Sequence, residues 1–178
     1  NNNWQKVVDE LSVWPTDEMY SQQRFFDFHV KQYMQKGYKL FVIITDALRY
    51  ECGKELSRML LSENRYESSI DYMVSSLPSY TQLGMASLLP HKTLSFHKET
   101  DVIDADDMST QGTKCRAKVL EVNSGVRATA ITADEFMHMN SSIEGRDFAK
   151  KHDLIYIYHN RIDKTGDDKA TEEKVFEA

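Results

Sequence analysis

The stretch Leu40 to Asp46, LFVIITD, limits what this chain can fold into more than any other. Five apolar residues, Leu40 to Ile44, run unbroken into Thr45 and stop on a carboxylate. Such a run fits a strand buried on both faces, as in the parallel sheet of an α/β protein, where neither face meets solvent. Ala47 to Leu60 then follows as a helix, with Leu48, Leu56, Met59 and Leu60 as its inward stripe. Open α/β sheets bind ligands outside the carboxyl ends of their strands, and Asp46 stands at such an end. This stretch alone leaves two readings of Asp46 open: a ligand for a divalent metal, or the cap of the following helix.

The rest of the chain alternates in the same manner. Glu18 to Lys36 places Met19, Phe25, Phe26, Phe28, Val30, Tyr33 and Met34 mostly at helical spacing and closes on Gly37, so residues 1–37 form a leading helical segment. Asn64 and Arg65 turn toward a second short strand, Ser69 to Val74, and Thr81 to Leu88 reads as a short helix closed by Pro90. Residues 91–108 read as a polar loop. Its Asp101, Asp104, Asp106 and Asp107 lack the glycine and terminal glutamate of an EF-hand, which favours a solvated loop over a calcium site. Ser109 to Val122 reads as a helix capped by Ser109 or Thr110, with a basic face of Lys114, Arg116 and Lys118. Arg127 to Thr132 is a third strand, Asp134 a helix cap before the apolar Phe136 to Met139, and Gly145 to Lys150 a helix. Asp153 to Tyr158 is a fourth strand of the buried type. After it comes an acidic turn, Asp163-Lys-Thr-Gly-Asp167, in which Gly166 lets the two carboxylates converge, and then a terminal helix from Asp168. The expectation is an α/β fold: one domain over residues 1–178, a mostly parallel sheet with helices on both faces.

Charge and composition remove several function classes. A net charge of −6 provides no electrostatic footprint for non-specific nucleic-acid binding, although bound cations invert the sign locally. No apolar run reaches the length of a membrane span, and Asn1-Asn2-Asn3-Trp4 has neither region of a signal peptide. Cys52 and Cys115 lack metal or disulfide spacing, so two reduced thiols in a cytoplasmic protein are expected. Helical pattern still runs at Ala178 without a terminator, which suggests part of a longer protein.

Three features follow predicted strands on the ligand-binding side: Asp46, Thr81 and the pair Asp163 and Asp167. Carboxylates are hard ligands for Mg, Mn or Ca and also bind Zn. Two such ions stabilise the attacking and leaving oxygens of phosphoryl transfer. A threonine hydroxyl at a helix start sits where backbone N–H groups favour a phosphate, and metal coordination activates it as a nucleophile. Each residue also has a plain alternative. Thr81 can be an ordinary helix cap, and Asp163 and Asp167 a solvated turn.

The strings IITDALRYE, PSYTQLGMASLLPH and YIYHNRIDKTGDDKATE, with DADDMSTQGTKCRAKVL between them, resemble in order the signatures of the PglZ domain of BREX and related phage-growth-limitation defence systems. The resemblance runs from Lys39 to the end and implies the N-terminal part of an alkaline-phosphatase-superfamily domain, an incomplete three-layer sandwich. It implies Asp46 and Thr81 as ligands of one metal, with Thr81 as the catalytic nucleophile, and Asp163 and Asp167 as ligands of the other. Asp167 stands where many relatives of the superfamily have histidine, which moves the expected ion from Zn toward Mn or Mg. The superfamily's Asp-His pair and a further histidine have no counterpart here, so this chain is expected to bind its two divalent ions weakly or not at all by itself. Arg49 is a candidate for the substrate phosphate, and His159 a candidate supporting residue behind the ligands.

What the resemblance implies is a metal-dependent phosphohydrolase of a phage-defence system, a phosphomonoesterase or a phosphodiesterase or nuclease, working with other defence proteins and away from membranes. The alternative is a scaffold subunit with an incomplete or vestigial metal site. A sulfatase fits less well, because the nucleophile motif here is Pro78-Ser79-Tyr80-Thr81 and not C-x-P-S-R or S-x-P-S-R.

Overall fold

Leu154 to His159 is the strand buried on both sides: Leu154, Ile155 and Tyr156 are fully buried, and Ile157 and Tyr158 nearly so. The computed structural model describes residues 2–16, 18–97, 100–167, 171, 173 and 174, so the predicted terminal helix from Asp168 lies outside the described residues. The helices are α1 Asn2–Asp9, α2 Gln32–Gln35, α3 Tyr50–Ser62, α4 Thr81–Ser87, α5 Gly112–Asn123, α6 Ala133–His138, α7 Glu144–Lys151 and α8 Arg161–Asp167. The strands are β1 Leu40–Thr45, β2 Leu94–Phe96, β3 Ile103–Ala105, β4 Met108–Ser109, β5 Ala128–Thr132 and β6 Leu154–His159. The described residues fall into two compact units, one of Asn1–Tyr38 with Tyr72–Gly125 and one of Lys39–Asp71 with Val126–Ala178.

The second unit carries a parallel sheet in the order β1-β6-β5, with β6 central. This is the expected α/β architecture with an open sheet. Ile131, Ile155 and Ile157 form a core on one face, covered by Phe136 and Met139 near α6 and by Phe148 and Ala149 of α7. Thr132 and Glu135 form a reciprocal capping box that starts α6, so Thr132 and not Asp134 is the cap. The ammonium of Lys39 donates to the carbonyls of Ala149 and His152, tying the start of β1 to the carboxyl end of α7. Two expectations fail here. Among the described residues β1 is an edge strand, with Phe41 and Ile43 exposed, because an apolar run by itself does not say which strand is central. No residue of α3 is buried, so Leu56 and Met59 line a stripe without cover among the described residues.

Arg127 fixes the start of β5 to the start of β6: its Nε and Nη2 donate to Asp153 at 2.9 and 2.7 Å. The Arg127 hydrogen bond, opposed by partial burial, holds the Asp153 carboxyl below its usual value of 3.8. A carboxyl whose folded pKa is depressed adds stability above the unfolded value and loses it as pH falls through the folded one. Asp153→Asn is therefore expected to destabilise this unit at neutral pH. In urea titrations across the pH range, the difference from the parent sequence narrows as pH falls past the ordinary carboxyl value of 3.8 and through the lower folded one.

The first unit is built differently from the expectation. The predicted helix Glu18 to Lys36 begins only at Gln22 and passes through 3₁₀ and π turns, Gln22–Arg24 and Phe26–Lys31, before α2. It closes as predicted on Gly37, whose φ of 75° suits only glycine well. The predicted strand Ser69 to Val74 reduces to one parallel bridge, Val74 to Ser21. The predicted loop 91–108 is an antiparallel meander of β2, β3 and β4, too short to show a period. Its acidic residues are structural: Asp104 lies 2.8 Å from His97 Nε2, and Asp106 accepts from the Lys92 and Thr93 N–H groups. Helix α5 starts at Gly112 behind a Gln111 cap, not at Ser109 or Thr110. Thr110 is buried and donates to the Ile103 carbonyl at 2.7 Å. Arg116 is not part of a solvated basic face. It is buried, with Nε on the Thr110 carbonyl at 2.9 Å and Nη2 reaching Gln82.

Candidate active site

The carboxyl end of the open sheet is where the acidic residues of the second unit gather. β1 and β6 end side by side, Thr45 opposite His159, and the Asp46 N–H donates to the His159 carbonyl at 3.0 Å. The chain then leaves the sheet sharply: Ala47 has a φ of 60°, a left-handed conformation that costs an alanine about 1 to 2 kcal/mol. Asp46 Oδ1 accepts the Ala47 N–H at 3.1 Å. Helix α3 begins only at Tyr50, with extended Arg49 as its cap residue. Asp46 is thus not the cap of the helix, and that alternative falls.

Asp163 and Asp167 do not lie on a glycine turn. They belong to α8, with Gly166 in helical conformation inside it, and a spacing of four puts both carboxylates on one helix face. Asp163 is half-buried, and its carboxyl is pushed above the usual value by burial first, then by the charges of Asp46 and Asp167. The charges of Asp46 and Asp167 thus both bear on Asp163. His159 is half-buried between them in sequence and contributes the carbonyl that holds Asp46. Arg49 is exposed at the start of α3.

Thr81 lies in the first unit as the first residue of α4, and its side chain is exposed. Its cap reading also falls, because the extended residue before the helix is Tyr80. The Tyr80 ring packs on the cluster of Leu83, Ala86 and Ile103, and its hydroxyl is raised by burial and then by Asp101. A cavity of about 740 Å³ in this unit is lined by Phe26, Leu89, His91 and Asp106 among others, and holds none of the predicted site residues.

The donor chemistry suits a hard divalent cation, which would ease the repulsion from Asp46 and Asp167 that adds to burial in raising Asp163. Asp46 and Asp167 are the acidic residues whose charges reach Asp163. Among the described residues no group of three or more His, Cys, Asp or Glu side chains is disposed to hold a metal ion.

The profile of the BREX system PglZ alkaline phosphatase-like domain matches residues 25–178. The chain belongs to the PglZ family. The match reaches back past Lys39 to Phe25 and covers Asp46, Arg49, Thr81, His159, Asp163 and Asp167 together. Two PglZ-type relatives are similar over nearly the whole chain. The alkaline phosphatase-like protein BrxZ of Escherichia coli O9:H4 (strain HS) is 38% identical over 184 residues, which cover 100% of this chain and 21% of the relative. The alkaline phosphatase-like protein PglZ of Bacillus cereus (strain H3081.97) is 41% identical over 170 residues, covering 96% of this chain and 20% of the relative. The chain therefore spans about a fifth of the length of these curated relatives. No solved structure matches it. Among the described residues no helix is long and apolar enough to cross a membrane.

Sequence reasoning missed two parts of this candidate site. The left-handed Ala47 carries no glycine or asparagine signal, and the His159 carbonyl holds Asp46 through strand register, which no local pattern reveals.

Proposed function

We propose that this chain supplies part of the active site of a phosphate-ester hydrolase, and that its longer parent acts with other proteins in a BREX-type phage-defence system. The observation that carries the reading is the membership of the PglZ family, supported by a half-buried Asp163 carboxyl that burial raises first and the charges of Asp46 and Asp167 raise further. One or two divalent ions, Zn, Mn or Mg, would supply charge neutralisation and a more acidic hydroxyl when bound. Asp46, Asp163 and Asp167 would supply negative charge toward such ions. The Thr81 hydroxyl oxygen attacks phosphorus, and the ester oxygen departs with the electrons of the broken P–O bond and takes up the proton that the hydroxyl loses, leaving phospho-threonine and a free alcohol. Water then cleaves this, returning the Thr81 hydroxyl and releasing phosphate from a monoester or a monoester from a diester. Arg49 binds the substrate phosphate, and His159 keeps Asp46 in place. A nucleic-acid diester is the substrate class that the defence context favours.

The test uses the full-length parent with nitrophenyl phosphate mono- and diesters and added Mn, Zn or Mg. Asp163→Asn is expected to abolish turnover. In the 178-residue chain the same change is expected to raise the melting temperature at pH 7. A carboxyl whose folded pKa is raised destabilises the fold once ionised, and the neutral isostere removes that charge. Calorimetric titration of the chain with Mn then reads whether Asp46 and Asp163 bind the ion. Binding that persists in the double variant Asp46→Ala/Asp163→Ala sinks the assignment.

A second reading, a scaffold in the defence complex, is favoured by the lack of a ready three-residue metal cage among the described residues. Unchanged complex assembly and phage restriction by the Asp46→Ala parent would support it.

A further inference from the structure

Helix α4 is seven residues long, too short to be stable by itself in water, so its neighbours in the first unit decide how it sits. On one side Leu83 and Ala86 pack on Ile103 of β3, with Tyr80 against the same cluster. Within the helix the Ser87 hydroxyl donates to the Leu83 carbonyl at 2.7 Å. The first turn is less enclosed: Thr81 is exposed and Gln82 half-buried.

What reaches that first turn is Arg116 of α5. Its side chain is buried, and a buried charge is costly unless hydrogen bonds compensate it. Nε donates to the Thr110 carbonyl at 2.9 Å, and Nη2 donates to Gln82 Oε1 at 3.3 Å. Thr110 is buried in turn, and its N–H and hydroxyl both donate to the Ile103 carbonyl, at 3.1 and 2.7 Å. The contacts close a ring. Ile103 packs under α4, Thr110 holds Ile103, Arg116 holds Thr110, and Arg116 returns to α4 at Gln82. The rigid fork of a guanidinium serves two acceptors in different directions, which the point charge of a lysine does not. The Thr110 arm by itself anchors the start of α5. The Gln82 arm leads elsewhere, and it ends one residue from Thr81.

We propose that Arg116 is a positioning residue for Thr81: through Gln82 it sets the first turn of α4 against Ile103 and so aims the Thr81 hydroxyl. The inference rests on the reading of Thr81 as nucleophile. Neither Arg116 nor Gln82 needs to touch the substrate. A displacement of about 1 Å at a reacting atom costs about a hundredfold in rate, so loss of the link is read in kcat and not in KM.

Steady-state kinetics of the full-length parent on nitrophenyl phosphate mono- and diesters with added Mn, beside melting temperatures, test it. Gln82→Ala cuts only the link, at a half-buried helix position that alanine suits. It should lower kcat about ten- to a hundredfold, with KM within about twofold and an unchanged melting temperature. Arg116→Lys keeps the charge, loses the fork and should lower kcat to the same degree. The double variant should be no slower than the slower single one, because both changes cut one contact. Unchanged kcat in Gln82→Ala, beside a Thr81→Ala parent that has lost turnover, overturns the proposal by itself, even where Arg116→Lys fails to fold. Losses that multiply in the double variant also overturn it, since Gln82 then acts without Arg116. Full turnover in Thr81→Ala sinks the nucleophile reading, and this inference with it.

Discussion

Thr81→Ala in the full-length parent is expected to lower phosphate-ester hydrolysis by about a thousandfold or more, about 4 kcal/mol of transition-state stabilisation. Removing the attacking oxygen leaves no covalent route, whereas Thr81→Ser keeps a hydroxyl and should retain most turnover. The structure makes this a clean experiment. Thr81 is exposed at the first position of α4 and is not its cap, so alanine, a better helix former, takes no structural contact away. An unchanged melting temperature beside lost activity would assign Thr81 to the reaction. Unchanged activity would remove it as nucleophile and leave direct attack by water.

The largest effect on stability is expected from Ile155→Ala, about 2 to 5 kcal/mol by denaturant unfolding. Ile155 is fully buried in the central strand, in the cluster with Ile131 and Ile157 that Phe136 and Phe148 close. Truncation removes the side chain's transfer energy and leaves a cavity that a paired strand cannot collapse to fill. A domain of this size holds only about 5 to 15 kcal/mol in total, so the second unit would be close to unfolding. Ile43→Ala is the control. Two strand positions with the same residue type differ only in burial, and the exposed one should cost under about 0.5 kcal/mol in the 178-residue chain.

Those two isoleucines show where the sequence stops. LFVIIT and LIYIYH read alike, both as continuous apolar strands, yet β6 is central and β1 lies at the edge. Apolar content reports what a strand needs covered, and strand order decides what covers it. The same gap explains α3, whose stripe at Leu56 and Met59 is legible and whose cover is absent among the described residues. The meander of β2 to β4 was missed for another reason. Its strands are two or three residues long, less than the period needed to show alternation, and its aspartates look like a solvated loop until Asp106 is seen bonding Lys92 and Thr93.

By itself the sequence determined the α/β class, the strands β1, β5 and β6, the start of α4 at Thr81 and the family. Each rests on local information: apolar runs, helical spacing, and motifs in a set order. Only the tertiary structure decided that Asp46 is not a helix cap, that Asp163 and Asp167 share a helix face, and that the charges of Asp46 and Asp167 bear on Asp163. Asp46 and Asp163 are more than a hundred residues apart in the chain. Asp46 comes within electrostatic reach of Asp163 because β1 and β6 pair in parallel and end together, and such pairing is a property of the folded sheet that no local pattern encodes.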